Sequence, residues 1–306
     1  MSAIARRSTK KPPVLVIAHD AGGGEIIAAY VKKHKGKINF FSYVAGPAEK
    51  IFKREGLAYF SVPETRAGMK KLIGGLPSVS CLLVGTGWMT HIEKIALEEA
   101  KRSGLTTKVY LESWSGYRER FGFPTKGWKK NLPDEIWIGD KYALALAKKN
   151  FPKTNIRYIA NEYFKNIRQR YNAKKNGGSS VSKILFLSNA AAGEEQVFQS
   201  LCEYVLQKKI SPIIRIRFHP ADNRSRYNQI ITNFKGVVRI ELSHEKDIVR
   251  DFLQARTVIG TETVAMAGAV MAGIRTISVA VPGKKFQLPF QKIIRVKKLD
   301  GKVGLI

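Results

Sequence analysis

Apolar runs that stop at polar or glycine-rich positions recur along the whole chain. Residues 14–18 (VLVIA), 81–84 (CLLV) and 184–187 (ILFL) are continuous apolar runs, as expected of parallel strands covered on both faces. Residues 213–218 alternate instead, with Ile214, Ile216 and Phe218 on one face and Arg215 and Arg217 on the other. That pattern predicts a strand with one buried face, stopped by Pro220, which cannot continue a ladder. Between such runs the period lengthens to that of a helix. Ile92, Ile95, Ala96 and Ala100 share one face of a helix over 91–103, and Val197, Leu201, Tyr204 and Val205 share one over 194–207.

Extended over the chain, the same reading predicts strands at 14–18, 38–44, 57–62, 81–84, 109–111, 135–138 and 156–159, with helices between most of them. A second series follows at 184–187, 213–218, 237–242, 258–259 and 276–281, with an edge strand at 292–296. Strand–helix alternation at this rhythm implies parallel sheets with right-handed crossovers. The alternation pauses once, at 173–182 (AKKNGGSSVS), a Gly/Ser/Lys stretch with the composition of a flexible linker. The expected fold class is therefore α/β: two Rossmann-like domains, 1–172 and 183–306, joined by the linker 173–182, with their parallel sheets facing across a cleft.

Length and composition agree with this picture and add one feature. A chain of 306 residues with 44% hydrophobic content suits two globular domains. Lys and Arg number 53 against 24 Asp and Glu, a net charge of +29. Such a field draws polyanions: nucleic acid, an anionic bilayer or phosphorylated substrates. The cations are spread along the chain and aromatic residues do not interleave with them, so no specific nucleic-acid partner is expected. Cys81 and Cys202 lie in apolar contexts and read as reduced, buried thiols. No Cys/His cluster suggests a metal, no apolar h-region follows the basic start, and no window reaches membrane-spanning length. A cytoplasmic protein, peripheral to the inner face of the membrane, is the expectation.

In open parallel sheets ligands bind beyond the carboxyl ends of the strands. Three polar clusters fall there in the first domain: His19-Asp20 with Gly22, Gly23 and Gly24; Thr86 to Trp88; and Glu112 through Tyr117, Arg118 and Arg120. The glycines permit close approach of backbone N–H groups to an anion or sugar at a helix start, or simply form a tight turn. In the second domain His219-Pro220 ends a strand, with Arg217 just before it. Gly260-Thr261-Glu262-Thr263 opens a helix, where free N–H groups and the dipole favour a phosphate and the threonines are equally suited to N-capping.

These motifs resemble those of the two-domain GT-B glycosyltransferases. His219-Pro220 is similar to the His-Pro motif of bacterial sialyl-, polysialyl- and Kdo-type transferases of surface polysaccharide biosynthesis. Residues 260–263 through Ala272-Gly273-Ile274 resemble the signature that holds the donor phosphate, and Asp20 to Gly24 the acceptor-side glycine loop. Two positions depart: the peptidoglycan GlcNAc-transferase type has a ribose-binding glutamate where this chain has Gly268, and a proline where it has Arg275.

The resemblance implies sugar transfer without metal or cofactor. The donor would be a nucleotide-sugar, CMP- or UDP-linked, and the acceptor a glycan or polyprenyl-phosphate-linked molecule. It implies that Arg217, His219, Pro220, Gly260, Thr261, Glu262 and Thr263 bind the donor. Asp20, with Glu112 second, is then the candidate base. His19, the three glycines, Tyr117, Arg118 and Arg120 are assigned to the acceptor side. Asp20 has capping of the next helix as its structural alternative, and Glu112 an ion pair with Arg118 or Arg120. A sugar-nucleotide 2-epimerase shares the fold, but needs two or more acid/base groups around one sugar carbon. A basic nucleic-acid-binding protein and a catalytically inactive subunit complete the alternatives.

Overall fold

A computed structural model describes residues 12–87, 91–175, 183–220, 222–300 and 304–305. The chain forms two compact units, Met1–Tyr163 and Phe164–Ile306. Trp88 and residues 176–182 of the expected linker lie outside the described residues, whereas 173–175 continue a helix.

The first unit holds β1 (Val14–Ala18), β2 (Phe40–Val44), β3 (Phe60–Ser61), β4 (Cys81–Val84), β5 (Thr106–Tyr110), β6 (Glu135–Ile138) and β7 (Asn155–Tyr158). They form one sheet in the order β3-β2-β1-β4-β5-β6-β7. Every pairing is parallel, with Val14 of β1 opposite both Phe40 and Cys81. Its helices are α1 (Ala21–His34), α2 (Pro47–Arg54), α3 (Arg66–Gly74), α4 (Ile92–Arg102), α5 (Lys141–Asn150) and the start of α6 (Glu162–Lys175). Strand order reverses at β1, between β2 and β4, which makes the ends of β1 and β4 the switch point at which this architecture binds ligands.

The second unit repeats the plan. Strands β8 (Lys183–Leu187), β9 (Ile213–Arg217), β10 (Arg239–Leu242), β11 (Ala255–Gly260), β12 (Arg275–Val279) and β13 (Ile294–Val296) are ordered β10-β9-β8-β11-β12-β13, again all parallel. Helices α7 (Glu194–Gln207), α8 (Ser225–Asn233), α9 (Ile248–Gln254) and α10 (Val264–Met271) connect them. The switch point lies between β8 and β11. Phe186, Phe198 and Tyr227 form the aromatic centre of this core, with Phe186–Phe198 and Phe198–Tyr227 ring centroids 5.0 and 5.7 Å apart. Phe218 joins them at 5.1 Å from Tyr227, which anchors the end of β9 immediately before His219.

Three elements differ from the sequence pattern for identifiable reasons. Strand β3 is only two residues, Phe60–Ser61, flanked by the buried Leu57 and by Val62, whose N–H donates to the Val44 carbonyl of β2 at 3.2 Å. Strand β11 is six residues where two were expected. Its polar half is hidden in the sequence, yet Thr257 is fully buried and donates its hydroxyl to the Leu305 carbonyl at 2.7 Å. The glycines at 22–24 do not form a loop: α1 begins at Ala21, so they lie in its first turn. Close packing accounts for them. A Cβ on Gly24 would sit 3.1 Å from the Ala48 Cβ, and one on Gly23 3.4 Å from Gly85 and Thr86 backbone atoms.

Candidate functional site

In the first unit the chain leaves β1 through His19 and Asp20. The His19 Nδ1 lies 2.9 Å from the Asp20 carboxylate. Gly46, at φ +55°, leaves room for the imidazole: a Cβ there would fall 2.5 Å from Nε2. Asp20 is the N-cap of α1 but makes no side-chain capping bond. Its carboxylate lies instead against the backbone of Gly87, where a Cβ would be 2.5 Å from the Asp20 Cγ. The glycine after β4 is thus what admits this carboxylate to the switch point.

Glu93, in the first turn of α4, was not among the residues expected from the motifs. It is 5% exposed and accepts the His19 backbone N–H at 3.0 Å. Burial, with the nearby Asp20 charge adding to it, pushes its carboxyl up to about 7. The signal was present in the sequence: Glu93 stands three, four and seven residues before Ala96, Leu97 and Ala100, on the apolar stripe of its own helix.

After β5, Glu112 accepts bonds from the Thr86 hydroxyl and from the Arg120 guanidinium. Arg120 also donates to the Thr86 hydroxyl at 2.7 Å and to the Ser115 carbonyl at 3.3 Å. Glu112 and Arg120 are 7% and 4% exposed, so the pair is an internal one. Arg120, which the resemblance assigns to the acceptor side, has its charge matched inside the protein by Glu112, the ion pair named as the structural alternative. Tyr117 is likewise buried, stacked on Phe151 at 6.1 Å, and burial raises its phenol above the ordinary range. Arg118 is half-buried, and its Nε has no partner among the described residues. Gly22 belongs to this site through packing, since a Cβ there would approach the Glu112 Cγ to 3.2 Å.

In the second unit the ends of β8, β9 and β11 converge. The His219 backbone N–H donates to the Ser188 hydroxyl at 2.7 Å, and Ser188 N–H donates to the Arg217 carbonyl at 3.0 Å. This stitches the His-Pro turn to the end of β8; Pro220 is exposed beyond it. Arg217 itself is engaged elsewhere. It donates to Asp251 and to the Glu245 carbonyl, both at 2.7 Å. Asp251 is 1% exposed and also accepts from Ser243 and, at 3.5 Å, from Arg215. Arg217, expected as a phosphate ligand, is thus ion-paired with Asp251 and fixes the β9 end.

Gly260 is required by the crossing of β11 and β8, because a Cβ would meet the Leu187 carbonyl at 2.7 Å. Thr261 does not cap α10. Its hydroxyl donates at 2.5 Å to Glu194, a fully buried carboxylate that also accepts the Asn189 N–H and the Tyr227 hydroxyl. Burial raises the Glu194 carboxyl above its ordinary value. Thr263 is the buried N-cap residue of α10 and makes no side-chain capping bond. Glu262 adopts φ +78°, and its Oε2 accepts the backbone N–H groups of Gln287 and Leu288. The left-handed conformation costs about 1–2 kcal/mol. Here it turns the carboxylate toward the segment after β12. Among the described residues no group of three or more His, Cys, Asp and Glu is disposed to hold a metal ion.

The structure thus gathers His19, Asp20, Glu93, Thr86, Glu112 and Arg120 at the first switch point. It gathers Ser188, His219 and Thr261 to Thr263 at the second, over Glu194. No protein-family model matches the chain, and no curated protein matches it in sequence. Solved structures do match its fold. The UDP-GlcNAc 2-epimerase of Methanocaldococcus jannaschii is similar with a TM-score of 0.65 and 12% identity, over 93% of this chain and 88% of that one. The UDP-GlcNAc 2-epimerase of Neisseria meningitidis, solved with UDP-GlcNAc bound, is similar at TM-score 0.64 and 11% identity, over 87% and 82%. Acinetobacter baumannii MurG is similar at TM-score 0.55 and 10% identity, over 89% and 80%. The two parallel-sheet α/β units are therefore of the GT-B type.

Proposed function

We propose that this protein is a nucleotide-sugar enzyme that works by acid–base chemistry on the sugar, of the sugar-nucleotide 2-epimerase type, with a UDP-linked amino sugar as its substrate class. The observation that carries the reading is the set of carboxyl groups at the first unit's switch point. Asp20 and Glu112 approach it from the ends of β1 and β5 and Glu93 from the first turn of α4, with burial raising the Glu93 carboxyl to about 7. Inversion at a sugar carbon requires one group to take a proton and another to return one to the opposite face. A buried carboxyl raised to about 7 beside two further carboxyl groups suits that exchange. The similar epimerase structures support the same reaction class.

The second unit is assigned to the nucleotide. Its β11–α10 turn carries Thr263 and helix N–H groups, with His219 on the neighbouring strand end, a combination suited to a diphosphate without a metal. Arg217 is left out of this assignment because Asp251 holds it.

Glycosyl transfer, the sequence-based expectation, remains as the second reading, favoured by one observation. Glu112 is tied to Arg120 and Thr86; if it serves only to position them, Asp20 and Glu93 remain, enough for the single base of a transfer. The MurG likeness belongs with it. Calorimetric titration with UDP tests the nucleotide assignment. We expect binding that weakens at least tenfold in His219→Ala and Thr263→Val, and absence of UDP binding in the folded parent protein would overturn it. Incubation with UDP-GlcNAc, with and without lipid-linked acceptor, separates the reactions: epimerisation proceeds without acceptor, and transfer does not.

A further inference from the structure

The segment between the Glu112 site and β6 has a character unlike the rest of the first unit. Phe123, Pro124, Thr125, Lys126, Lys129 and Lys130 are all exposed. Phe123 packs edge-to-face on Trp128, 5.9 Å between centroids, and Trp128 on Phe151 at 6.4 Å. Phe151 directly follows α5, so the basic end of that helix adjoins the same loop. Lys148, Lys149 and Lys153 there are exposed as well. Lys101 ties the far end of the loop down by donating to the Lys130 carbonyl at 3.0 Å. The result is an exposed apolar tip, Phe123-Pro124, packed edge-to-face against the half-buried Trp128, with exposed lysines along the same loop and at the adjoining end of α5. Exposed acidic residues nearby are Glu119 and Asp134, the latter engaged with Thr107.

We propose that this loop is a docking surface for an anionic phospholipid bilayer. Lysine stems cover apolar surface while their heads reach the headgroup plane, and an exposed aromatic between them enters the interface. Each lysine near an anionic leaflet adds roughly fivefold in affinity, so the lysines of this loop suffice for reversible attachment. Two features favour lipid over nucleic acid. The exposed cations of the loop and of the α5 end are lysines, point charges suited to a diffuse anionic plane, not the planar forks that grip individual phosphates. The edge-to-face packing of Phe123, Trp128 and Phe151 also occupies ring faces that stacked bases would need. The inference is independent of the reaction assigned above, because it concerns a surface outside the acid–base cluster.

The test is co-sedimentation of the full chain with phosphatidylcholine vesicles, with and without phosphatidylglycerol, at low and high salt. Three forms are compared. One is the parent. One is Lys126→Glu/Lys129→Glu/Lys130→Glu. The third is a charge-matched control, Lys53→Glu/Lys70→Glu/Lys71→Glu, at exposed positions elsewhere on the same unit. The parent is expected to bind only vesicles containing phosphatidylglycerol, and less at high salt. The loop variant should lose roughly a hundredfold in affinity or more, and the control severalfold at most. Phe123→Ser, which keeps every charge, should lose about tenfold. Equal losses in loop variant and control would reduce the effect to net charge and overturn the proposal. So would unchanged binding by the loop variant, or a loop-dependent affinity for single-stranded oligonucleotide with no affinity for vesicles.

Discussion

Glu93→Gln isolates the group on which the acid–base reading depends. In the folded protein the Glu93 carboxyl is raised from 4.5 to about 7, chiefly by burial. In the unfolded chain it titrates near the ordinary value. The folded state therefore holds this proton between pH 4.5 and 7 while the unfolded state has released it. Stability from the group is fully present below 4.5, declines as pH rises through that window, and has reached its full cost above 7. At roughly 1.4 kcal/mol per pH decade, the ionised carboxylate costs about 3 kcal/mol at pH 8. Glutamine keeps an acceptor for the His19 N–H at nearly the same volume and cannot ionise. Urea unfolding of parent and variant from pH 4.5 to 8 should show the variant gaining about 3 kcal/mol relative to the parent across that range. Differencing the two proteins removes the contribution of groups that do not interact with Glu93. Parallel profiles would refute the buried, neutral-range carboxyl and with it the role of Glu93 as a proton carrier.

Other perturbations probe the supporting structure. Gly46→Ala forces a side chain into φ +55° and within 2.5 Å of the His19 Nε2. It should cost about 1–2 kcal/mol or more and shift the His19 signal in heteronuclear NMR spectra. Asp251→Ala leaves Arg217 and Arg215 without their buried partner. A loss of about 3–5 kcal/mol is expected, recovered in part by a compensating Arg217→Met in thermal melts. Glu262→Ala removes the acceptor for the Gln287 and Leu288 N–H groups. Hydrogen exchange at those two amides should accelerate at least tenfold while β11 stays protected.

The alternation of apolar runs was enough to foresee two parallel α/β units, because fully buried strands such as β1, β4 and β8 leave an uninterrupted apolar signature. The edge strands β7 and β13 were foreseen to within two residues, but the polar half of β11 left no such signature, since tertiary hydrogen bonds and not composition define it. At the candidate sites, the strand ends named from the sequence are where the structure gathers polar side chains, while the partners of the charged ones were only partly legible. Arg217 looked available because its partner is distant, Asp251 lying 34 residues away; the Glu112–Arg120 pair, eight residues apart, was legible in the sequence as an alternative to an acceptor-side role. Glu93 and Glu194 were overlooked although each interrupts an apolar helical stripe, Glu194 ahead of Val197, Phe198 and Leu201. A carboxylate on such a stripe is either paired or shifted in its titration. The glycines at 22–24 suggested ligand binding, whereas their immediate cause is the packing of α1 against the β4 turn and α2.

The most direct test of the account is proton exchange at the sugar carbon. The protein is incubated with UDP-GlcNAc in deuterated water without acceptor and followed by proton NMR. The account predicts loss of the C-2 proton signal, appearance of the epimeric sugar carrying deuterium at that carbon, and suppression of both by Glu93→Gln and Asp20→Asn. UDP-GlcNAc that binds yet keeps its C-2 proton indefinitely would contradict it.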